Sequence, residues 1–302
     1  MDGTTKLVGL IGWPVEHSLS PAMHNAAFDE LGLNWRYVPL PVRPGQVDAA
    51  VRGLGALGFQ GANVTVPHKQ AVVPELDSVS VNAAMLSAVN TIVVERRVDG
   101  MPVYSGENSD VPGIIRALDH AGFDPEGKRA IVVGSGGAAR AVVFALMTTG
   151  AGQIDVLNRT PSRAEDLVAD LRRNWEILGT LPEGQGASLS ALPLKDEVLI
   201  EEARGADLLV NATPVGMWPK VEGSIWPETV DVPSQLAVFD LVYNPLETRL
   251  LRQARESGAN AIDGLGMLVE QGARSFELWT GACAPVDVMR RACEERLRHE
   301  DL

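Results

Sequence analysis

An amine and a carboxylate in the first half of this sequence have surroundings suited to proton transfer. Lys69 follows a short apolar run that stops at Pro67, so we expect it in the turn at the carboxyl end of a strand, where α/β folds bind ligands. Asp110 closes the turn-rich segment Gly106-Glu-Asn-Ser-Asp110. Beside Lys69 it would hold the ammonium in place, and both could hydrogen-bond a reacting hydroxyl. Ordinary interpretations stay open, because lysines are usually solvated and Asp110 could cap a helix.

A glycine-rich turn in the middle of the chain has the form of a dinucleotide site. An apolar run leads directly into Gly134-Ser-Gly-Gly-Ala-Ala139, which fits G-x-G-x-x-A, and a helical pattern follows. Gly134 permits a tight turn, Gly136 lets the backbone approach a pyrophosphate, and Ala139 lets helix and strand pack closely. The helix N-terminus would offer N–H groups to the phosphates. The alternative is a tight strand-to-helix turn without a ligand.

The next predicted strand ends at Asn158-Arg-Thr160, where NAD-binding proteins usually carry an acidic residue for the ribose hydroxyls. Arg159 could instead form paired, charge-assisted hydrogen bonds with the 2′-phosphate of NADP. The pattern therefore favours NADP over NAD. Two alternatives stay open: Arg159 is a solvated surface residue, or Asp155 in the same strand supports NAD.

Two serines precede the first predicted helix. Pro21 suits the first helical position, which makes Ser20 the predicted N-cap. Ser18 and Ser20 either serve capping and turn formation or offer hydroxyls to a ligand carboxylate beside the helix N-terminus. His17 and His24 are predicted to be structural, because neither has an acidic partner nearby in sequence.

Short β-branched runs alternate with helical patterns, which predicts an α/β fold with parallel sheets and crossover helices. We predict a substrate-binding and catalytic domain of residues 1–112 with 265–302, and a doubly wound Rossmann-type domain of residues 113–264. The C-terminal helices are expected to pack back on the first domain, and the two domains to border a cleft. The polar, glycine-rich stretch 179–192 is predicted to be a loop.

Length and composition narrow the function classes. A chain of 302 residues suits two domains, and a net charge of −13 disfavours binding to nucleic acid or anionic membranes. No apolar run reaches the roughly 20 residues that cross a bilayer, and no secretory signal pattern is seen, so we expect a cytoplasmic protein. Cys283 and Cys293 lack further clustered cysteines or histidines, which predicts neither a disulfide framework nor a metal site.

Together these motifs resemble the shikimate dehydrogenase family from about Gly9 to Gly281. The matching segments, in chain order, are Gly12-x-Pro-x-x-His-Ser-x-Ser-Pro21, Asn63-Val-Thr-Val-Pro-His-Lys69, Ala88-Val-Asn-Thr91, Gly106-x-Asn-Ser-Asp110, Gly134-x-Gly-Gly-Ala138, Asn158-Arg-Thr160, Asn211-Ala-Thr-Pro-Val-Gly-Met217, Asp240-Leu-Val-Tyr-Asn-Pro245 and Gly264-Leu-Gly-Met-Leu-Val-Glu-Gln271. So many ordered matches make a chance resemblance implausible.

The resemblance implies an NADP-dependent dehydrogenase that interconverts 3-dehydroshikimate and shikimate, with Lys69 and Asp110 as the catalytic pair. The substrate-binding residues that it implies are Ser18, Ser20, Thr65, Asn90, Tyr243 and Gln271. The cofactor-binding residues that it implies are Gly134, Gly136, Gly137, Ala138, Asn158, Arg159 and Thr160, with Thr213, Gly264 and Met267 at the nicotinamide end. Hydroxyl and amide side chains suit a ligand that carries a carboxylate and several hydroxyls.

Two positions depart from the usual family pattern. Ser109 stands where the family usually has Thr, which keeps the hydroxyl but loses a methyl group, and Ser135 replaces a small apolar residue in the glycine turn. Neither change removes a predicted catalytic group. Two alternatives stay open: a quinate/shikimate dehydrogenase that uses NAD, and a non-catalytic module that senses shikimate-like ligands. A monomer or a homodimer is expected.

Overall fold

Two units, each built on its own sheet, make up the chain. The computed structural model describes residues 1–178 and 186–300. The first unit comprises Met1–Asp110 and Val269–Leu302, and the second comprises Val111–Leu268. Each unit contains a six-stranded sheet, and most of its strands are followed by a helix. The predicted α/β class is confirmed.

Strands and helices alternate along most of the chain, as the sequence pattern indicates. The strands are β1 Lys6–Gly12, β2 Trp35–Pro41, β3 Gly61–Val64, β4 Ser78–Val79, β5 Thr91–Arg96, β6 Pro102–Glu107, β7 Arg129–Val133, β8 Gln153–Asn158, β9 Ser188–Pro193, β10 Leu208–Asn211, β11 Ala237–Asp240 and β12 Asn260–Ile262. The helices are α1 Ser20–Glu30, α2 Val47–Ala56, α3 Val81–Leu86, α4 Asp110–His120, α5 Gly137–Thr148, α6 Pro161–Leu178, α7 Asp196–Ala203, α8 Arg249–Glu256, α9 Gly264–Thr280 and α10 Val286–Glu300, with a 3-10 turn at Val73–Glu75. None of the helices within 1–178 and 186–300 combines the length and apolar character that crossing a bilayer demands.

The sheet of the first unit is mixed, in the order β2-β1-β3-β5-β6-β4. Strand β1 pairs in parallel with β2 and β3, but β5 is antiparallel to both β3 and β6. The prediction of parallel sheets therefore fails for the pairings of β5 in this unit. The connection 97–101 between β5 and β6 is too short for the dozen or so residues that a parallel crossover needs, so the two strands form an antiparallel pair.

The sheet of the second unit is fully parallel, in the order β9-β8-β7-β10-β11-β12. This is the doubly wound order of dinucleotide-binding folds, in which the chain direction across the sheet reverses between β7 and β10. Ligands of such folds bind outside the carboxyl ends of the strands at this reversal. The predicted Rossmann-type arrangement is confirmed, and β7 leads into the glycine turn.

Strands β9 and β12 of this sheet were not predicted. Of the predicted loop 179–192, residues 179–185 lie outside the described part of the chain, and the prediction is wrong for residues 188–192, which belong to β9. The strand pairs with β8 at the edge of the sheet. Its sequence, Ser-Leu-Ser-Ala-Leu-Pro, buries Leu189 but carries two serines, because an edge strand needs only one apolar face.

The C-terminal helices pack against the N-terminal elements of the first unit. Helix α10 lies against α1. On α9, the Phe276 ring centroid is 5.1 Å from that of Phe28, and the Trp279 indole N–H donates to the Ile92 carbonyl oxygen at 2.9 Å. The predicted return of these helices to the first domain is confirmed.

A buried histidine lies in this aromatic core. The His24 ring stacks on Tyr37 with centroids 4.5 Å apart and an interplanar angle of 6°, and Trp279 lies 5.3 Å away. Among the residues that the structure describes, none is in hydrogen-bonding geometry with either ring nitrogen, although the Asn63 amide is near. Burial disfavours the charged ring and lowers the pKa of His24 from 6.5 to about 3. This agrees with the structural role expected for His24.

Acid should therefore destabilise the first unit through His24. The unfolded chain binds a proton below about pH 6.5, whereas the folded chain does so only near pH 3, so the free energy of unfolding falls as the pH drops through this window. The loss by about pH 4.5 should be about 2 to 3 kcal/mol. The loss is measured by denaturant unfolding of the wild type and His24→Leu, once above pH 6.5 and once at about pH 4.5. Contributions that are common to both proteins cancel in the comparison. A stability difference that does not change with pH would contradict the expectation.

Candidate active site

Lys69 and Asp110 form an ion pair in the first unit. Lys69 lies in the turn that follows β3, and its Nζ is 2.6 Å from Oδ2 of Asp110, the first residue of α4. The Asp110 side chain is 12% exposed and the Lys69 side chain 29%. The positive end of the α4 dipole also favours the carboxylate. The fold thus brings the two residues together. Lys69 is not simply a solvated surface lysine, and Asp110 does more than begin a helix.

Asn90, immediately before β5, holds the second carboxylate oxygen. Its Nδ2 donates to Asp110 Oδ1 at 2.8 Å. Its Oδ1 accepts from the Ser109 backbone N–H at 2.7 Å and from the Thr91 hydroxyl at 3.0 Å. Because the amide oxygen faces donors and the nitrogen faces a carboxylate, the amide has one favourable orientation. Asp110 therefore has little freedom to leave Lys69.

Behind Asn90 lies a buried cluster of hydroxyls that the sequence analysis missed. Thr91 Oγ1 is 2.8 Å from Ser275 Oγ and 3.2 Å from Ser109 Oγ. Asn63 Nδ2 donates to Ser275 Oγ at 2.9 Å, which joins β3 to α9. One signal was available: Ser275 follows the predicted ligand residue Gln271 by four positions, so the two share a helix face.

The other predicted substrate residues are dispersed. Gln271 joins the cluster, because its Oε1 is 3.4 Å from Ser109 Oγ. Thr65 follows β3 and its methyl group packs at Gly12, the end of β1. Within the described residues, no hydrogen bond joins the hydroxyl of Thr65 or Ser18 to the Lys69 ion pair. Tyr243 belongs to the second unit, after β11, and is half-buried.

The predicted N-cap is wrong by one residue. Ser20 is the first residue of α1, the N-cap is Leu19, and no side chain caps the helix there. The Ser20 backbone N–H instead donates to Ser18 Oγ at 3.2 Å, so the preceding serine hydroxyl takes up an N–H group at the start of the helix. Ser18 and Ser20 thus lie close together at the N-terminus of α1, where they could serve turn formation or offer hydroxyls to a ligand carboxylate.

The glycine turn of the second unit forms an open cradle. Gly134 has a φ of +123°, and a Cβ there would lie 2.8 Å from the Ala212 carbonyl oxygen, so a side chain is excluded. A Cβ on Gly136 or Gly137 would meet no atom within 4 Å. Gly136 caps α5 without a side-chain hydrogen bond, and Ala138 is exposed beside it. Exposed N–H groups at a helix start suit the pyrophosphate of a dinucleotide.

The end of β8 carries an exposed cation. Arg159 is exposed, and among the described residues no carboxylate pairs with it; Asn158 Nδ2 donates to the Thr160 carbonyl oxygen at 3.0 Å. Asp155, by contrast, is 1% exposed and its Oδ2 accepts from Arg129 Nη2 at 2.8 Å. This buried carboxylate is committed to its ion pair with Arg129, so the suggestion that Asp155 supports NAD is wrong.

Of the residues predicted for the nicotinamide end, Thr213 follows β10, and Gly264 and Met267 follow β12 at the start of α9. Thr213 Oγ1 donates to Asn211 Oδ1 at 2.7 Å. A Cβ on Gly264 would lie 2.5 Å from the Leu241 carbonyl oxygen, so only glycine lets α9 begin there. Met267 is half-buried in the first turns of α9. Among the described residues, no cluster of three or more metal-ligating side chains occurs.

Comparison with known proteins places the chain in a family. Three family models match: "Shikimate dehydrogenase substrate binding domain" at residues 10–92, "Shikimate / quinate 5-dehydrogenase" at 117–183 and "Shikimate 5'-dehydrogenase C-terminal domain" at 264–294. The shikimate dehydrogenase (NADP(+)) of Moorella thermoacetica is 50% identical over 297 residues, which cover 97% of this chain and 94% of the relative. The chain belongs to the shikimate dehydrogenase family. The resemblance that the motifs indicated is confirmed.

Solved structures of the family share the fold over almost the whole chain. A shikimate dehydrogenase in complex with NADP⁺ matches with a TM-score of 0.86 and 39% identity, covering 98% of this chain and 97% of that one. The shikimate 5-dehydrogenase of Listeria monocytogenes, in complex with shikimate and NAD, matches with a TM-score of 0.86 and 35% identity, covering 96% and 97%. These two complexes between them contain both nicotinamide cofactors, so cofactor choice in this chain depends on its own residues.

Proposed function

We propose that this chain catalyses the reversible, NADPH-dependent reduction of 3-dehydroshikimate to shikimate. The observation that carries the proposal is the Lys69–Asp110 ion pair, with 2.6 Å between Nζ and Oδ2 and with Asn90 on the other carboxylate oxygen. Reduction of a ketone needs a proton donor for the oxygen that becomes a hydroxyl. A partly exposed ammonium, fixed by a nearly buried carboxylate, is such a donor.

Lys69 and Asp110 divide the proton chemistry between them. NADPH, held by the glycine turn and Arg159, would supply the hydride for the carbonyl carbon. The Lys69 ammonium hydrogen-bonds the carbonyl oxygen and gives it a proton as negative charge develops there. Asp110 holds the ammonium in place and accepts a hydrogen bond from the substrate hydroxyl. In the oxidative direction the same pair removes the hydroxyl proton.

The substrate residues supply polar contacts in place of an apolar pocket. We assign the substrate's carboxylate to the hydroxyls of Ser18 and Ser20, because their position at the start of α1 favours an anion. The ring hydroxyls are assigned to the remaining polar side chains, which are Thr65, Asn90, Tyr243 and Gln271. Each can donate a hydrogen bond, so an analogue that lacks the matching oxygen would leave a polar group unpaired.

The cofactor residues divide between the two ends of NADP. The backbone at Gly134, Gly136, Gly137 and Ala138 is assigned to the pyrophosphate, and Asn158, Arg159 and Thr160 to the adenosine 2′-phosphate. Thr213, Gly264 and Met267 are assigned to the nicotinamide end. In this proposal residues 1–112 with 265–302 form the substrate-binding and catalytic domain, and residues 113–264 form the NADP-binding domain.

A steady-state comparison of four substrate and cofactor pairs tests the proposed function. Shikimate and quinate are each assayed with NADP⁺ and NAD⁺, and NADPH formation from shikimate should have the highest kcat/KM. A preference for quinate with NAD⁺ would support the quinate/shikimate dehydrogenase instead. Binding of NADPH and shikimate without any turnover would make the protein a sensing module.

A further inference from the structure

A fully buried carboxylate lies at the carboxyl end of β11, the edge of the second sheet where cofactors bind. Asp240 has no exposed surface, and this burial raises its pKa to about 6. A buried carboxylate is costly unless donors surround it. Its contacts therefore show what the fold gains from it.

Three donors from three segments satisfy the two oxygens of Asp240. Oδ1 accepts from Asn211 Nδ2 at 2.8 Å and from the Val242 backbone N–H at 3.1 Å. Oδ2 accepts from the Thr248 hydroxyl at 2.6 Å, and Thr248 is the N-cap of α8. Asp240 thus joins the end of β10, the segment after β11 and the start of α8.

Asn211, which Asp240 contacts, in turn holds Thr213, one of the residues assigned to the nicotinamide end. Asn211 Nδ2 also donates to the Val215 carbonyl oxygen at 3.2 Å, while its Oδ1 accepts from the Thr213 hydroxyl at 2.7 Å and backbone N–H at 3.1 Å. The carboxylate accepts only, so it fixes which way the Asn211 amide points. A rotated amide would present its nitrogen to the two donors of Thr213.

The contact with Val242 acts on the neighbouring segment. It ties down the backbone one residue before Tyr243, and the Leu241 N–H donates to the Asn211 carbonyl oxygen at 3.0 Å. Gly264 packs on the Leu241 backbone so closely that a Cβ would overlap it. Asp240 therefore lies behind residues assigned to both ligands but is assigned to neither.

We propose that Asp240 is a positioning residue: through Asn211 it orients Thr213 for the nicotinamide end of NADP. Through Val242 it also fixes the segment that presents Tyr243 to the substrate. The inference rests on the proposed function. Asp240 is not among the residues assigned to the substrate or to the cofactor, but the positions of Thr213 and Tyr243 depend on it.

The main variant is Asp240→Ala. Because small displacements of positioning groups cost catalysis steeply, kcat should fall about 10- to 100-fold and KM for NADPH should rise. The affinity for 2′,5′-ADP, which reaches only the Arg159 side, should stay within about twofold, because distant sites act independently. NADP⁺ binding should weaken relative to 2′,5′-ADP, a readout that does not need turnover.

The matched control is Asp155→Ala. Asp155 is also a buried, hydrogen-bonded aspartate of the second unit, but its partners are Arg129, Gln153 and Ser190. Its loss should lower the melting temperature and leave kcat within about twofold of the wild type. Equal losses of kcat in both variants would show a general effect of destabilising the unit and would overturn the proposal.

Two further variants keep the inference testable. Asp240→Asn retains an oxygen for Asn211 and Val242 and offers N–H to Thr248, so kcat should stay within about threefold of the wild type. A loss as large as that of Asp240→Ala would overturn positioning by hydrogen bonds.

If Asp240→Ala fails to bind 2′,5′-ADP and so has not folded, Asn211→Ala replaces it, with the same expected losses. Wild-type kcat and NADP⁺ affinity in Asn211→Ala would overturn the proposal. An inactive wild type would instead count against the proposed function, and the ratio of NADP⁺ to 2′,5′-ADP affinity would still decide the role of Asp240.

Discussion

Replacing Lys69 by alanine is expected to lower kcat for shikimate oxidation by about 10²- to 10⁴-fold, the usual contribution of a positioned general acid or base. The KM for NADP⁺ should change little, because Lys69 is not assigned to the cofactor. Steady-state kinetics with both substrates varied separates the two parameters. Circular dichroism and thermal melting show whether the variant is folded, since the change leaves Asp110 without its cation.

Lys6→Ala is the matched control for this prediction. Lys6 is an exposed lysine of the same unit whose ammonium lies 5.1 Å from the Trp35 ring, and its loss should leave kcat unchanged. Asp110→Asn should reduce kcat as well, because an amide holds an ammonium less firmly than a carboxylate does. Near-normal turnover of a folded Lys69→Ala variant would remove the residue from the chemistry.

Replacing Arg159 by serine should largely abolish the preference for NADP. Two charge-assisted hydrogen bonds to a phosphate are worth about 3 kcal/mol or more together, so kcat/KM for NADPH should fall about 100-fold. The value for NADH, which lacks the 2′-phosphate, should change much less. The experiment compares both cofactors in the wild type and the variant.

Arg204→Ser serves as the control for Arg159. Arg204 is likewise an exposed arginine of the second unit, but it pairs with Glu201 at 2.8 Å. Its replacement should leave kcat/KM unchanged for both NADPH and NADH. An unchanged ratio of NADPH to NADH efficiency in Arg159→Ser would show that Arg159 is a solvated residue and that another group selects the cofactor.

The sequence predicted those parts of the site that occur in short segments. The glycine turn between β7 and α5 needs a strand, glycines and a helix in direct succession, and all three are visible in one stretch of residues. Lys69 and Asp110 are 41 residues apart, yet each stands at the end of a recognisable segment. Their pairing followed from the expectation that both segments face the cleft between the two domains.

What could not be predicted depends on contacts between distant segments. The bond from Asn63 to Ser275 spans 212 residues; the position of Ser275 on the helix face of Gln271 is visible in the sequence, but its partner Asn63 is not. Asp155 looked available because sequence does not show that its side chain is paired with Arg129. Strand β9 was missed because an edge strand with alternating serines has the composition of a loop.

The most direct test of the proposed reaction is the single-turnover rate of NADPH oxidation with saturating 3-dehydroshikimate, measured in the wild type and in folded Lys69→Ala. Saturation removes differences in binding, so the rate reports the step in which the carbonyl oxygen gains its proton. We expect rapid oxidation by the wild type and a rate at least about 100-fold lower in the variant. Equal rates, or no oxidation by the wild type, would contradict the account.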